Sequence, residues 1–174
     1  MKKGVDLLIK AYTTILKNSL LPLPRLVIAG PGLETAYGKE MQTIASVANE
    51  QETHIFFTGM LSGEAKWGAI YGCEAFLLPS HQENFGIAVA EALACSKPVL
   101  ISNQVNIWRE IDEAGAGIVS EDTLEGTSEL LNRWVELSID QKKNMGMKAA
   151  DCFKNSFTIA PAARKFFYAV SQNI

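Results

Sequence analysis

The stretch PSHQENFGIAVAEALA, residues 79–94, decides how the rest of this chain is read. Pro79 and Ser80 close the apolar run EAFLLPS (74–80), which has the composition of a buried strand. A polar loop follows. Then IAVAEALAC (87–95), small and apolar almost all round, predicts a buried helix. Gly86 stands at the junction, where the absence of a Cβ lets the backbone approach a neighbour closely. The amides of Phe85, Gly86, Ile87 and Ala88 fall at the helix start, where no intrahelical acceptor exists. With the helix dipole they favour an anion. Two carboxylates frame that start: Glu83 in the loop, and Glu91 about one turn into the helix. A buried carboxylate at 91 is costly unless something satisfies it, and the paired hydroxyls of a sugar or ribose would do so. A phosphate at the helix start, with carboxylates on either side of it, describes a nucleotide-sugar pocket. The same spacing also suits an ordinary loop residue at Glu83 and a structural salt bridge at Glu91.

On either side of this stretch, apolar runs and helical patterns alternate. RLVIAG (25–30), HIFFTG (54–59), PVLIS (98–102) and GIVS (117–120) lack a clean period of two, which predicts strands buried on both faces. VDLLIKAYTTILK (5–17) puts Leu8, Ala11, Tyr12 and Ile15 on one helical face, and GKEMQTIASVANEQ (38–51) does the same with Met41, Ile44, Ala45 and Ala48. AKWGAIYGC (65–73) reads as a short helix, 123–138 and 140–153 as amphipathic helices, and 160–172 as a terminal one. This alternation predicts an α/β fold with a mainly parallel sheet. Ligands of such sheets bind beyond the carboxyl ends of the strands, here Gly30–Gly32, Gly59–Leu61, Ser80–Gly86 and Ser102–Asn106.

The 174 residues suffice for one domain with a sizeable core. A net charge of −3, from 19 acids and 16 bases, offers no basic face for nucleic acid. No run reaches the roughly 18 apolar residues of a membrane span. MKKGVDLLIKAY reads as a helix start, because Asp6 and Lys10 interrupt any signal-peptide core. Cys73, Cys95 and Cys152 are odd in number and form no CxxC, so reduced thiols are expected, with neither a disulfide framework nor a zinc site. A cytoplasmic setting fits them, as does the cytosolic face of a membrane.

PSHQENFGIAVAEALACSKPVLIS resembles the signature of the group 1 glycosyltransferases, retaining enzymes of the GT-B fold. Their E-x7-E corresponds to Glu83 and Glu91, and Pro98-Val99 opens the strand that follows. KKGVDLLIKAY is similar to the family's lysine-glycine helix start, RLVIAGPGLE to its second strand and glycine turn, and HIFFTGMLS to the strand bordering the base. The resemblance implies a single Rossmann-like donor-binding domain over 1–174, helices on both faces of its sheet, with 156–174 a terminal helix packing back toward an N-terminal domain. It implies that Glu83 contacts hydroxyls of the transferred sugar and that Glu91 binds the ribose. Lys3 would neutralise the diphosphate and help the nucleotide leave; by itself it is a solvated lysine. Asn84 and the backbone of Phe85, Gly86 and Ile87 would hold sugar and diphosphate, and backbone near Met60 would face the base. The donor would be a UDP-, GDP- or ADP-sugar, with no cofactor and no obligatory metal. The acceptor would be a glycan or glycolipid, as in polysaccharide assembly, with peripheral membrane association through the parent protein. An acceptor-binding N-terminal domain and the donor domain's own first strand would precede Met1.

Other features are less specific. GPG (30–32) is half of a dinucleotide fingerprint, lacking the third glycine; it reads as a strand-to-helix turn, with Gly32 also a candidate donor contact. His81 lies in the donor loop, while His54 begins a strand. Trp67, Trp108 and Trp134 suit cores or helix faces, and Lys142-Lys143 a solvated face. Ser96 stands where many family members carry glycine. A non-catalytic nucleotide-sugar binding module is the alternative to an enzyme.

Overall fold

Strands and helices alternate along the chain as the sequence predicts, with one further helix between the last two strands. The computed structural model describes residues 2–18, 23–50, 52–160 and the single positions 163, 168 and 171. The strands are β1 (Leu26–Ala29), β2 (Ile55–Gly59), β3 (Phe76–Leu78), β4 (Val99–Ser102) and β5 (Gly117–Ser120). The helices are α1 (Val5–Asn18), α2 (Ala36–Ala48), α3 (Gly63–Gly72), α4 (Ile87–Ala94), α5 (Trp108–Ala114), α6 (Leu124–Glu136) and α7 (Ile139–Cys152). A π-helical turn, Phe153–Phe157, follows α7. The helix expected over 156–174 lies largely outside the described residues. The seven residues of α5 are too few to show a helical period, and the sequence reading missed it.

All strand pairs are parallel. β1 pairs with β2 from Leu26↔Ile55 onward, while β3, β4 and β5 run side by side, with Phe76↔Val99 and Val99↔Gly117 in register. Two helix layers enclose the three-stranded sheet. β4 turns Val99 and Ile101 into the core with α4, α5 and α7, and Leu100 toward Leu130 and Trp134 of α6. On that second side α1 packs against both α2 and α6. Leu8, Ile9, Ala11, Tyr12 and Ile15 of α1 are buried there, close to the face expected from their spacing. Burial pushes the Tyr12 hydroxyl up to about 12, and it donates to the Pro24 carbonyl at 2.8 Å. Side-chain caps from Thr35, Thr123 and Ser138 begin α2, α6 and α7.

Two expectations need correction. Of the five strands only β4 is buried at every position. β1 and β2 cover one face with α1 and α2 and leave Val27 and Phe56 exposed on the other. Nor is α4 buried all round. Val89, Ala90, Ala92 and Leu93 face the core, whereas Ile87 is 69% exposed and Ala88 is also open. An apolar helix of small residues can pack with one face and still leave the other to a ligand.

The sheet is also divided. The outer edges of β1 and β3 have no strand partner among the described residues. α1 and Leu77 touch the cores on both sides of that division. Unpaired N–H and C=O rows are templates for intermolecular pairing. The 174-residue chain by itself is therefore expected to self-associate or to melt at low temperature. Sedimentation velocity with a thermal melt checks this, and a monomer with a high, cooperative transition contradicts it. A second expectation concerns Ser96, which holds a left-handed φ of 60° where α4 ends. The Lys97 amide bonds the Ala92 carbonyl at 2.9 Å across this turn. Ser96→Gly should remove about 1 kcal/mol of backbone strain. In a thermal melt that raises Tm by about 2–4 °C.

Candidate functional site

The site is assembled at the carboxyl ends of the strands, and glycines permit the close approaches. Gly4 has φ of 66°, and a Cβ there would lie 1.9 Å from the Pro79 carbonyl oxygen. Only glycine lets the segment before α1 cross the end of β3 at this distance. The crossing is bonded: the Lys2 carbonyl accepts from the His81 amide at 2.9 Å and from Ser80 Oγ at 2.7 Å. Lys3 is thereby carried to Glu83, and its ammonium pairs with Glu83 Oε2.

Glu83 is fixed at its backbone as well. Its amide donates to the Gln104 carbonyl and its carbonyl accepts from the Asn106 amide, both at 3.1 Å. The loop after β3 is thus zipped to the loop after β4. Gly86 then turns the chain with φ of 74°; a Cβ would meet Val105 Cγ1 at 3.1 Å and Glu83 Cγ at 3.5 Å. Its carbonyl accepts from Val89 at 2.8 Å and Ala90 at 3.1 Å, starting α4. The amides of Phe85, Gly86, Ile87 and Ala88 have no backbone acceptor among the described residues. Phe85 and Ile87 are largely exposed, and Phe85 meets Phe157 edge-on at 6.0 Å between ring centroids. Amides without an acceptor at a helix start are the arrangement from which the sequence reading expects an anion site.

Glu91 faces outward from α4 with its side chain 24% exposed, and its Oε1 accepts from Lys66 Nζ at 2.6 Å. A salt bridge is one of the two readings the spacing left open, and it is present. The sequence reading missed Lys66. The partners are 25 positions apart on different helices, so no local pattern announces them.

Of the remaining candidates, Met60 and Gly32 lie at the ends of β2 and β1 with no hydrogen bond to this group among the described residues. Met60 is 71% exposed just past β2. Gly32 has φ of 96° in the turn after β1, where its carbonyl accepts from the Thr35 amide at 3.1 Å and Thr35 Oγ1 at 2.6 Å. The Gly30 amide bonds the Gly59 carbonyl at 2.9 Å, holding the two strand ends together. Asn84 is exposed. His81 Nδ1 lies 3.0 Å from Asp122 Oδ2, which ties the loop after β3 to the loop after β5. No cluster of three or more His, Cys, Asp or Glu suited to a metal occurs among the described residues. The three cysteines are free. Burial, helped by Glu110, pushes the Cys152 thiol up to about 11, so it is no nucleophile at neutral pH. A cavity of about 950 Å³ opens at the far end of the sheet, against Pro98, Trp134 and Lys142, and shares no residue with the site.

A sequence model of the family described as glycosyl transferases group 1 matches residues 1–151. An uncharacterized glycosyltransferase of Methanocaldococcus jannaschii, MJ1607, is 29% identical over 117 residues, covering 67% of this chain. This chain spans only 28% of that relative's length. Among solved structures, Anabaena Alr3699/HepE in complex with UDP and glucose superposes with a TM-score of 0.76 at 18% identity, over 98% of this chain and 45% of that one. The C-terminal domain of a Francisella tularensis group 1 glycosyl transferase, LpcC, gives 0.75 at 19% identity, over 91% of this chain and 81% of that domain.

The geometry at Gly86 makes an expectation of its own. Gly86→Ala should cost about 1–2 kcal/mol, because an L-residue is forced into a left-handed conformation. The loss in a denaturant melt should exceed that of Gly68→Ala, whose added Cβ meets nothing within 4 Å.

Proposed function

The chain belongs to the group 1 glycosyltransferases, with the Rossmann-like architecture of the GT-B fold, and on that premise we propose that it binds the nucleotide-diphosphate sugar of a retaining enzyme. The observation that carries this reading is the segment after β3, which presents Glu83 paired with Lys3, the open amides at the start of α4, and Glu91 about one turn further on. The diphosphate takes the amides of Phe85, Gly86 and Ile87. Lys3 leaves Glu83 to meet its charge, and Glu83 turns to hydroxyls of the sugar. Glu91 grips the ribose, with the base toward Met60 and Gly32 and with Asn84 at the sugar. The solved relative that holds UDP and glucose supports a donor of this class.

In the whole protein the sugar passes to an acceptor hydroxyl with its anomeric configuration kept. The sugar–phosphate bond breaks with its electron pair leaving on the diphosphate. The acceptor oxygen bonds the anomeric carbon from the same face, and a leaving-phosphate oxygen takes its proton. Lys3 and the helix amides lower the barrier by meeting charge that develops on the diphosphate. No metal is required for that role. An acceptor glycan or glycolipid, a hexosyl donor sugar and a cytoplasmic setting, at or near a membrane face, complete the reading. The 174 residues supply one wall of such a site, and they are expected to bind donor without turnover. No helix among the described residues is long and apolar enough to cross a membrane.

Calorimetry with UDP, GDP and ADP, their common sugars and NAD, in the presence of EDTA, tests this. One nucleoside diphosphate should bind saturably, and Glu91→Ala should weaken it about 10- to 100-fold through loss of charged hydrogen bonds. Preference for NAD, or a Glu91→Ala protein that melts early yet binds unchanged, would sink the assignment.

A further inference from the structure

We propose that Lys66 is a positioning residue for Glu91, setting the carboxylate so that its outward oxygen meets the ribose hydroxyls. This rests on the donor-binding reading of Glu91 given above. The two lysines of the site are held differently. Lys3 pairs with Glu83 while its side chain is 56% exposed, and no aromatic ring lies against it among the described residues. Such a cation can leave its partner when a diphosphate arrives. Lys66 is only 34% exposed and is gripped from two sides. Its ammonium lies 2.6 Å from Glu91 Oε1 and 4.2 Å from the centroid of the Trp67 ring. A cation engaged by a carboxylate and an aromatic face together has little freedom to move.

The pair uses one carboxylate oxygen. Glu91 Oε2 has no hydrogen-bond partner among the described residues, and it is the atom left for a diol. A glutamate free to rotate loses conformational entropy when it grips a ligand. Held by Lys66, Glu91 loses that freedom on folding, and the ligand meets an oriented acceptor. α3 therefore does more than connect β2 to β3: its first turn fixes a group on α4.

The test measures binding of whichever of UDP, GDP and ADP the wild-type chain binds most tightly, alongside the 2′-deoxy form of the same nucleotide. The wild type should prefer the ribonucleotide about tenfold, one charged hydrogen bond's worth. Lys66→Met should shrink that preference to about twofold or less while affinity for the 2′-deoxy form stays unchanged, as expected for coupled neighbours. Lys66→Arg, which keeps the charge and the stacking on Trp67, should restore most of it. Lys66→Ala serves in the same assay if the methionine variant fails to fold. A lysine that merely stabilises the domain would weaken both nucleotides equally, and that result overturns the proposal. So does tighter binding by Lys66→Met, which would make the lysine an occupant of the ribose seat. If Glu91→Ala abolishes the preference and Lys66→Met leaves it intact, only the role of Lys66 falls. If the wild type binds no nucleotide, or shows no preference, the donor reading falls and takes this inference with it.

Discussion

Everything at the site depends on one backbone crossing, where the residues before α1 pass over the end of β3. The Lys2 carbonyl takes two hydrogen bonds, from the His81 amide and Ser80 Oγ, and Gly4 closes on the Pro79 carbonyl. No larger residue fits at position 4. The crossing carries Lys3 to Glu83, across 80 positions of sequence. It also anchors α1, which packs on α2 and on α6 and so joins the cores of the two parallel sheets. A bond that is local in space fixes both the fold's continuity and the charge balance of the site.

The second constraint is the shape of α4. Its small residues let it lie close on β3 and β4, and the left-handed turn at Gly86 aims its first amides out of the fold. Polar groups that are costly to bury unpaired have no backbone acceptor here, close along the chain to the charged Glu83 and Glu91. The two carboxylates are each balanced by a lysine from a different element: Lys3 from before α1 and Lys66 from α3. The site thus comes from four chain segments, three of them following the ends of β2, β3 and β4 and the fourth leading into α1. This is how parallel α/β sheets build ligand crevices.

Much of this was legible in the sequence. All five strands fall within the predicted runs, because short β-branched stretches bounded by glycine or proline have few other uses. The amphipathic stripe of α1 named Leu8, Ala11, Tyr12 and Ile15 as core, and all four are buried. The carboxylates, the glycine at 86 and the open helix start were also visible, since spacing along one loop and helix is local information. α5 was not, being too short to show a period. The exposure of Val27 and Phe56 was not either, because an apolar run looks the same whether one face or two are covered.

The sequence by itself determined the alternation of elements, the parallel sheet, the family and the pair of carboxylates flanking a helix start. These are properties of neighbours along the chain, where periodicity and turn chemistry act. Only the tertiary structure decided the partners of those carboxylates. It paired Lys3 with Glu83 and Lys66 with Glu91, seated His81 on Asp122, and opened one face of α4. Charge pairs between residues distant in sequence follow from how helices pack, and packing is set by the whole core.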